Sequence, residues 1–166
     1  MRTVILSMIL LILLSSNSWS GNTIHNFRLK DIDNHWKKLS ELQGENLTVI
    51  DFWATWCSPC AKAIPKLNDL YQQYKSRGVQ FIGINIDSPK NNAKIKPFAR
   101  AHKIDYTVLK DPNSQQASRL NISSIPTLLI INSDNEIVYR HQGYRSGDEE
   151  FIEQEILNHL NSTENE

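Results

Sequence analysis

Residues 50–60 read IDFWATWCSPC, and the two halves of that stretch decide the fold. With the residues just before it, the first half makes a compact apolar run over 47–54, interrupted at Asp51, the pattern of a strand buried on both faces. After Ala54 the spacing becomes helical. Ile64, Leu67, Leu70, Tyr71 and Tyr74 recur along one face of residues 58–77, and Gly78 closes the run. A strand that runs into a helix here sets Cys57 and Cys60 at the helix N-terminus, where unpaired backbone N–H groups favour a thiolate on Cys57. Pro59 falls in the first turn, where its missing N–H costs nothing. At i and i+3 the cysteines share a face, close enough for a disulfide to form and break without moving the backbone. The thiol at the exposed end attacks, and the one buried a turn later resolves.

Outward from this unit, residues 22–38 predict a hairpin in which Phe27 and Leu29 alternate with polar residues and Asp33-Asn34 turns. Residues 40–43 predict a helical turn ended by Gly44. Downstream come a second buried strand over 79–86 and a helix over 91–103 that Pro97 should bend. An extended piece over 106–109, a turn at Asp111-Pro112-Asn113 and a weak helix over 115–120 follow. Residues 127–132 and 136–141 form a hairpin, and 148–160 an amphipathic helix with Ile152, Ile156, Leu157 and Leu160 inward. Strands alternating with helices and then a hairpin imply a mixed sheet with helices on both faces and a right-handed first crossover.

At 166 residues, 40% hydrophobic and 22% charged, the chain suits one ordinary globular domain. Eighteen basic side chains balance eighteen acidic ones. A neutral chain without a Lys or Arg run has no field to gather nucleic acid, and that partner is set aside. Residues 1–20 stand apart. Arg2 and the amino terminus are positive, residues 4–14 are apolar except for Ser7, and Ser18-Trp19-Ser20 puts small residues where a signal peptidase reads. That order predicts a secretory signal cleaved after Ser20. The alternative is an uncleaved anchor, but an apolar run of about 11 residues falls well short of the ~20 a span needs.

Export permits disulfides, yet the two cysteines are three positions apart, and closing so small a loop removes little chain entropy. A C-x-x-C between a strand and a helix reads instead as a redox dithiol. Zinc would need two more ligands, and His25, His35, His102, His141 and His159 lack ligand spacing. A copper carrier would need a wider cysteine spacing and a dedicated His. No metal and no cofactor is expected.

At these residues the chain resembles a known family. Residues 50–60 look like the active-site strand and turn of thioredoxins, Ser124-Ile125-Pro126-Thr127 resembles their cis-proline loop, and Pro65 matches their helix-kinking proline. The N-terminal hairpin and the stretch 88–109, an extra helix and extended piece between two core strands, are similar to the TlpA/ResA-type exported thioredoxins. The resemblance covers nearly all of residues 24–160. It implies an α/β thioredoxin fold: a mixed central sheet flanked by helices, with an N-terminal β-hairpin and an inserted helix and strand between the core halves. Residues 21–160 then form one domain and 161–166 a polar tail. Cys57 and Cys60 would pair as a redox-active disulfide, nucleophile and resolving thiol. Pro126 would be cis beside them, and Trp56, Ser58, Pro59, Ile125 and Pro126 would meet the substrate chain, with Trp56 shielding the rim.

Asp51 is the odd residue in its strand. An unpaired carboxylate buried there costs several kcal/mol, and desolvation raises its pKa. It matches the buried acid of thioredoxins, whose implied role is to exchange the proton of Cys60. Many TlpA/ResA-type proteins have Asn here and a Glu three residues after the second cysteine, where this chain has Ala63. The alternative is a hydrogen-bonded carboxylate with no catalytic role.

Between the cysteines, Ser58 and Pro59 offer no cation to over-stabilise the Cys57 thiolate, which suits a reductant. The resemblance implies the same direction: a monomer reducing disulfides of exported proteins, such as apocytochromes c. It would draw on a membrane thiol electron donor and work in the periplasm or at the extracytoplasmic face of the membrane. The loop SSIPT differs from the GAPE form of dedicated cytochrome-maturation members, which leaves the substrate open. A thiol oxidase or isomerase is one alternative; a non-catalytic binding or metal-carrier module is another.

Overall fold

A computed structural model describes residues 23–163. The segment 1–20, expected to be a secretory signal, and the end of the tail, 164–166, lie outside the described residues. In chain order the elements are β1 (Arg28–Asp31), β2 (Trp36–Lys38), β3 (Leu47–Trp53), α1 (Ser58–Tyr74), β4 (Val79–Asn85), α2 (Asn92–Ala101), β5 (Thr107–Lys110), α3 (Gln115–Arg119), β6 (Thr127–Asn132), β7 (Ile137–Gln142) and α4 (Asp148–Thr163). The strands form one seven-stranded mixed sheet in the order β2-β1-β5-β4-β3-β6-β7. β3 lies at its interior, parallel to β4 and antiparallel to β6, and every one of its residues is buried. Among the described residues no helix is long and apolar enough to cross a membrane.

Odd-numbered residues of β3 face α1 and α4. Val49 packs with Leu67, Leu70, Ile152 and Ile156, and Trp53 with Ile64 of α1 and Ile95 of α2. Even-numbered Ile50 and Phe52 face the other side, where α3 contributes Ala117 and the N-terminal segment contributes Ile24, Phe27 and Leu39. Helices therefore cover both faces unequally, three against one short one. α3 holds its five residues because the buried Asp111 carboxylate accepts the N–H groups of Gln115, Gln116 and Ala117 at 2.9, 2.9 and 3.0 Å, an anion on the orphan donors of a helix start.

Two expectations need correction. The N-terminal hairpin spans only residues 28–38: Thr23 instead bridges to Glu136, and the Ile24 N–H donates to Asn135 O at 2.8 Å. Burial of Ile24 and Phe27 against the second face draws this segment across the sheet. At the other end, α4 does not stop at residue 160 but runs on through 161–163, the start of the polar tail, since no Gly or Pro stands there to stop the helix.

Where β3 and β4 enter the sheet, two loops approach closely. The N–H groups of Asn46 and Leu47 both donate to Gly78 O, at 3.0 and 3.3 Å. A Cβ on Gly44 would stand 2.2 Å from Leu47 O and 2.4 Å from Gly78 O. Those neighbours are backbone and cannot move aside. Gly44→Ala is therefore expected to lower stability by about 1–3 kcal/mol or more, read as a fall in the urea midpoint at unchanged m-value; an unchanged midpoint would show the loop to be adaptable.

Candidate active site

β3 ends at Trp53, and one turn later Cys57 caps α1 in extended geometry (φ −89°, ψ 101°). Its N–H donates to Ala54 O at 3.1 Å, and its Sγ accepts the Cys60 N–H at 3.2 Å. The two cysteines are joined as a disulfide with Cα atoms 5.3 Å apart. Cys57 keeps 5% of its surface exposed and Cys60 none. After reduction, the same N–H would meet a Cys57 thiolate, a charge-assisted bond at a helix start. Trp56 stands out to solvent, 64% exposed, and Ser58 and Pro59 are exposed on the other side of Cys57.

The Ile125–Pro126 peptide bond is cis. Thr127 pairs with Phe52 in the sheet, which sets the loop beside the end of β3. Two bonds hold it: Thr127 Oγ1 donates to Ser124 O at 2.7 Å, and the Gly143 N–H donates to Pro126 O at 2.8 Å. Ile125 packs against the cluster that contains both cysteines. An open groove of about 480 Å³ joins Pro59, Ile125 and Pro126 to His141, Tyr144 and Arg145. Three of the predicted substrate-contacting residues thus share one groove, while Trp56 and Ser58 flank Cys57 in sequence and are not among its lining residues.

Asp51 sits at the middle of β3, 2% exposed, opposite Gly83 of β4 and Leu128 of β6. Neither carboxylate oxygen has a hydrogen-bond partner among the described residues, so the hydrogen-bonded alternative is not what the structure displays. Burial pushes its carboxyl up from 3.8 to about 7. It borders a cavity of about 10 Å³ with Ala63, Leu67, Pro126 and His141, one helical turn along α1 from Cys60. Among the described residues no group of three or more His, Cys, Asp or Glu side chains is placed to hold a metal ion.

A family model described as the AhpC/TSA family matches residues 20–140, a stretch that includes Asp51, both cysteines and Pro126. The chain belongs to the AhpC/TSA family. It is 31% identical over 117 residues to the thiol-disulfide oxidoreductase ResA of Geobacillus kaustophilus, covering 70% of this chain and 66% of that protein. To ResA of Bacillus subtilis it is 30% identical over 118 residues, 71% of this chain and 64% of that one. The chain thus spans just under two thirds of the length of these two curated relatives. Among solved structures, the thiol:disulfide interchange protein DsbE assigned in Chlorobium tepidum superposes with a TM-score of 0.77 at 30% identity, over 84% of this chain and 96% of that one. The fold is accordingly thioredoxin-like, α/β with a mixed sheet.

The AhpC/TSA match contains a feature that sequence reasoning missed. Asp87 is fully buried. Its carboxylate accepts the Thr55 N–H at 2.8 Å, the Thr55 hydroxyl at 2.9 Å and the Asn85 side-chain amide at 2.8 Å. It therefore ties the turn before Cys57 to the end of β4. An Asp straight after a buried strand was the available signal, of the same kind as Asp51. The groove residues beyond Pro126 were missed too: Asp148 accepts from the Arg145 N–H at 2.7 Å and lies 3.1 Å from His141 Nε2. Nothing local in the sequence marks that pairing.

An acid whose pKa is higher folded than unfolded binds protons more tightly when folded. Its contribution favours folding at low pH and is lost as pH rises from about 4 to about 7. Asp51→Asn should flatten that decline and raise stability above pH 7 by on the order of a few kcal/mol. Urea unfolding of both proteins across pH 4–8 measures this; parallel curves would show that Asp51 carries no unpaired charge.

Proposed function

We propose that this chain is a thiol-disulfide oxidoreductase that reduces disulfides of exported proteins through Cys57 and Cys60. The observation that carries the reading is Cys57 itself, at the cap of α1 with its sulfur on the Cys60 N–H, bonded to a fully buried Cys60 and packed near the cis-proline groove. That arrangement distinguishes the two thiols by access and by charge stabilisation. The likeness to proteins named thiol-disulfide oxidoreductase supports the same chemistry.

In the reaction, the Cys57 thiolate attacks one sulfur of a substrate disulfide, and the other sulfur leaves as a thiolate and takes a proton. The protein is now joined to substrate through Cys57. Cys60 loses its proton to the Asp51 carboxylate and attacks Cys57 Sγ, closing the internal disulfide and releasing the second substrate thiol, which is protonated in turn. Two electrons and two protons pass to substrate. A thiol donor on the membrane restores the dithiol by the reverse exchange. An extended substrate segment would lie in the groove formed by Pro59, Ile125 and Pro126, with Trp56 and Ser58 bordering the attacked bond. The site of action is outside the cytoplasm, in keeping with the export signal of residues 1–20, and apocytochromes c fall within the substrate class.

Cys60→Ser should trap Cys57 in mixed disulfides, because attack proceeds and resolution cannot. Non-reducing gels of cell extracts should display the adducts, and Cys57→Ser should abolish them; equal adducts from both variants would overturn the assignment of roles.

The direction follows from Ser58-Pro59, which brings no cation to the Cys57 sulfur. Equilibration with a glutathione or dithiothreitol couple should give a potential well below about −120 mV, the strongly oxidising end of the range for such centres. A value near that end would make the protein an oxidase.

A further inference from the structure

Four buried side-chain polar atoms among the described residues have no hydrogen-bond partner: both oxygens of Asp51, Nε1 of Trp53 and the hydroxyl of Tyr106. They belong to three residues placed around Gly83, Asp51 by its ladder register and Trp53 and Tyr106 by their packing. Asp51 stands opposite Gly83 in the β3–β4 ladder. A Cβ on Gly83 would lie 2.9 Å from Trp53 Nε1 and 3.2 Å from Tyr106 Cε2. The missing side chain is what admits the indole edge and the phenol ring to the neighbourhood of the carboxylate.

The chemistry of the three groups is complementary. An indole N–H only donates, a phenol O–H can donate, and an ionised carboxylate only accepts. Buried polar groups are rarely left without partners. Tyr106 is 5% exposed, and its ring is held against Phe81 and Tyr71 at centroid distances of 5.9 and 6.0 Å, so its hydroxyl cannot turn to solvent. Burial pushes the Tyr106 hydroxyl well up and the Asp51 charge pushes it further, as expected of near neighbours in a buried interior.

The other groups around Asp51 are committed elsewhere or apolar. From α1 it meets Ala63 and Leu67, with the Cys60 thiol a turn away when reduced; from β6 and its loop, Leu128 and Pro126; from α4, Ile152. His141 and Tyr144 border the small cavity on that side. His141 Nε2 lies 3.1 Å from Asp148 and its Nδ1 3.4 Å from the Tyr139 hydroxyl, while the Tyr144 hydroxyl donates to Glu149 at 2.7 Å.

We propose that Tyr106, assisted by the Trp53 N–H, donates the hydrogen bond that stabilises the ionised Asp51 carboxylate across the Gly83 gap, and so is a positioning residue for the proton step of resolution. Neither group is bonded directly to the other in the structure, so one enclosed water carries the bond, with the phenol proton as its donor. The role rests on Asp51 acting as proton acceptor for Cys60. It assigns Tyr106, which lies in the inserted stretch between the core halves, to the chemistry at Cys60.

The test is Tyr106→Phe in the full chain, which keeps the ring and removes only the hydroxyl. The Asp51 carboxyl is titrated by ¹³C NMR in the oxidised protein, where no cysteine thiol titrates beside it. Losing a donor to the charged form should raise the midpoint by ~1 pH unit, a tenfold weaker acid. An unmoved midpoint overturns the proposal, whatever the kinetics do. Rapid mixing then follows resolution of the Cys57 mixed disulfide against pH. The profile of Tyr106→Phe should shift with the carboxyl midpoint, and the same substitution added to Asp51→Asn should shift nothing further. A midpoint that moves while the resolution profile stays still supports the Tyr106 bond and removes Asp51 from the proton step. Attack by Cys57 should keep its rate in both single variants.

Discussion

The hydrogen-bonded seating of β3 between β4 and β6 is the constraint on which the rest of the molecule depends. Seven residues, all paired with β4 and six of them with β6, and covered on both faces leave this strand no freedom to slip, because a shift of one residue would exchange its two buried faces. Its C-terminal end is therefore a fixed point. Cys57 caps the next helix from that point, and the Ile125–Pro126 loop arrives beside it because Thr127 pairs with Phe52. The reactive sulfur and the groove next to it are held by the same ladder.

Two buried carboxylates, Asp51 within this strand and Asp87 bonded to the turn beyond its end, are treated in opposite ways. Asp87 accepts three hydrogen bonds and locks the turn at Thr55 to the end of β4. A satisfied carboxylate of that kind contributes rigidity, and its removal would leave orphan donors in the interior. Asp51 has no such partners, and its charge is correspondingly disfavoured. One acid builds the frame around Cys57. The other keeps a proton affinity close to neutral pH, the range in which an acid–base group can both take and give a proton.

The inserted stretch between the core halves is more than an ornament on the sheet. Phe98 of α2 stacks on Trp53 with centroids 5.1 Å apart, Ile95 joins the cluster under the cysteines, and Tyr106 closes over Gly83. The insert thus seals the side of the active centre away from the proline groove. The interior around Asp51 is thereby closed off from bulk solvent, and that burial is what raises its proton affinity.

The strand–turn–helix unit, the C-x-x-C at its helix start and the misfit of Asp51 were all legible in the chain, because each is a short-range pattern: an apolar run, a helical period, a charge in the wrong place. The unequal covering of the two faces was not legible, since it depends on where Ile24 and Phe27 travel after leaving the sheet. Nor were the partners of Asp87, the pairing of His141 with Asp148, or the meeting of Tyr106 and Trp53 at Gly83. Apart from the Asn85–Asp87 bond, those contacts join residues that lie seven to fifty-three positions apart. Periodicity names which residues go inside, but only the packed tertiary structure decides which buried polar groups face one another, because that depends on strand order and register rather than on composition.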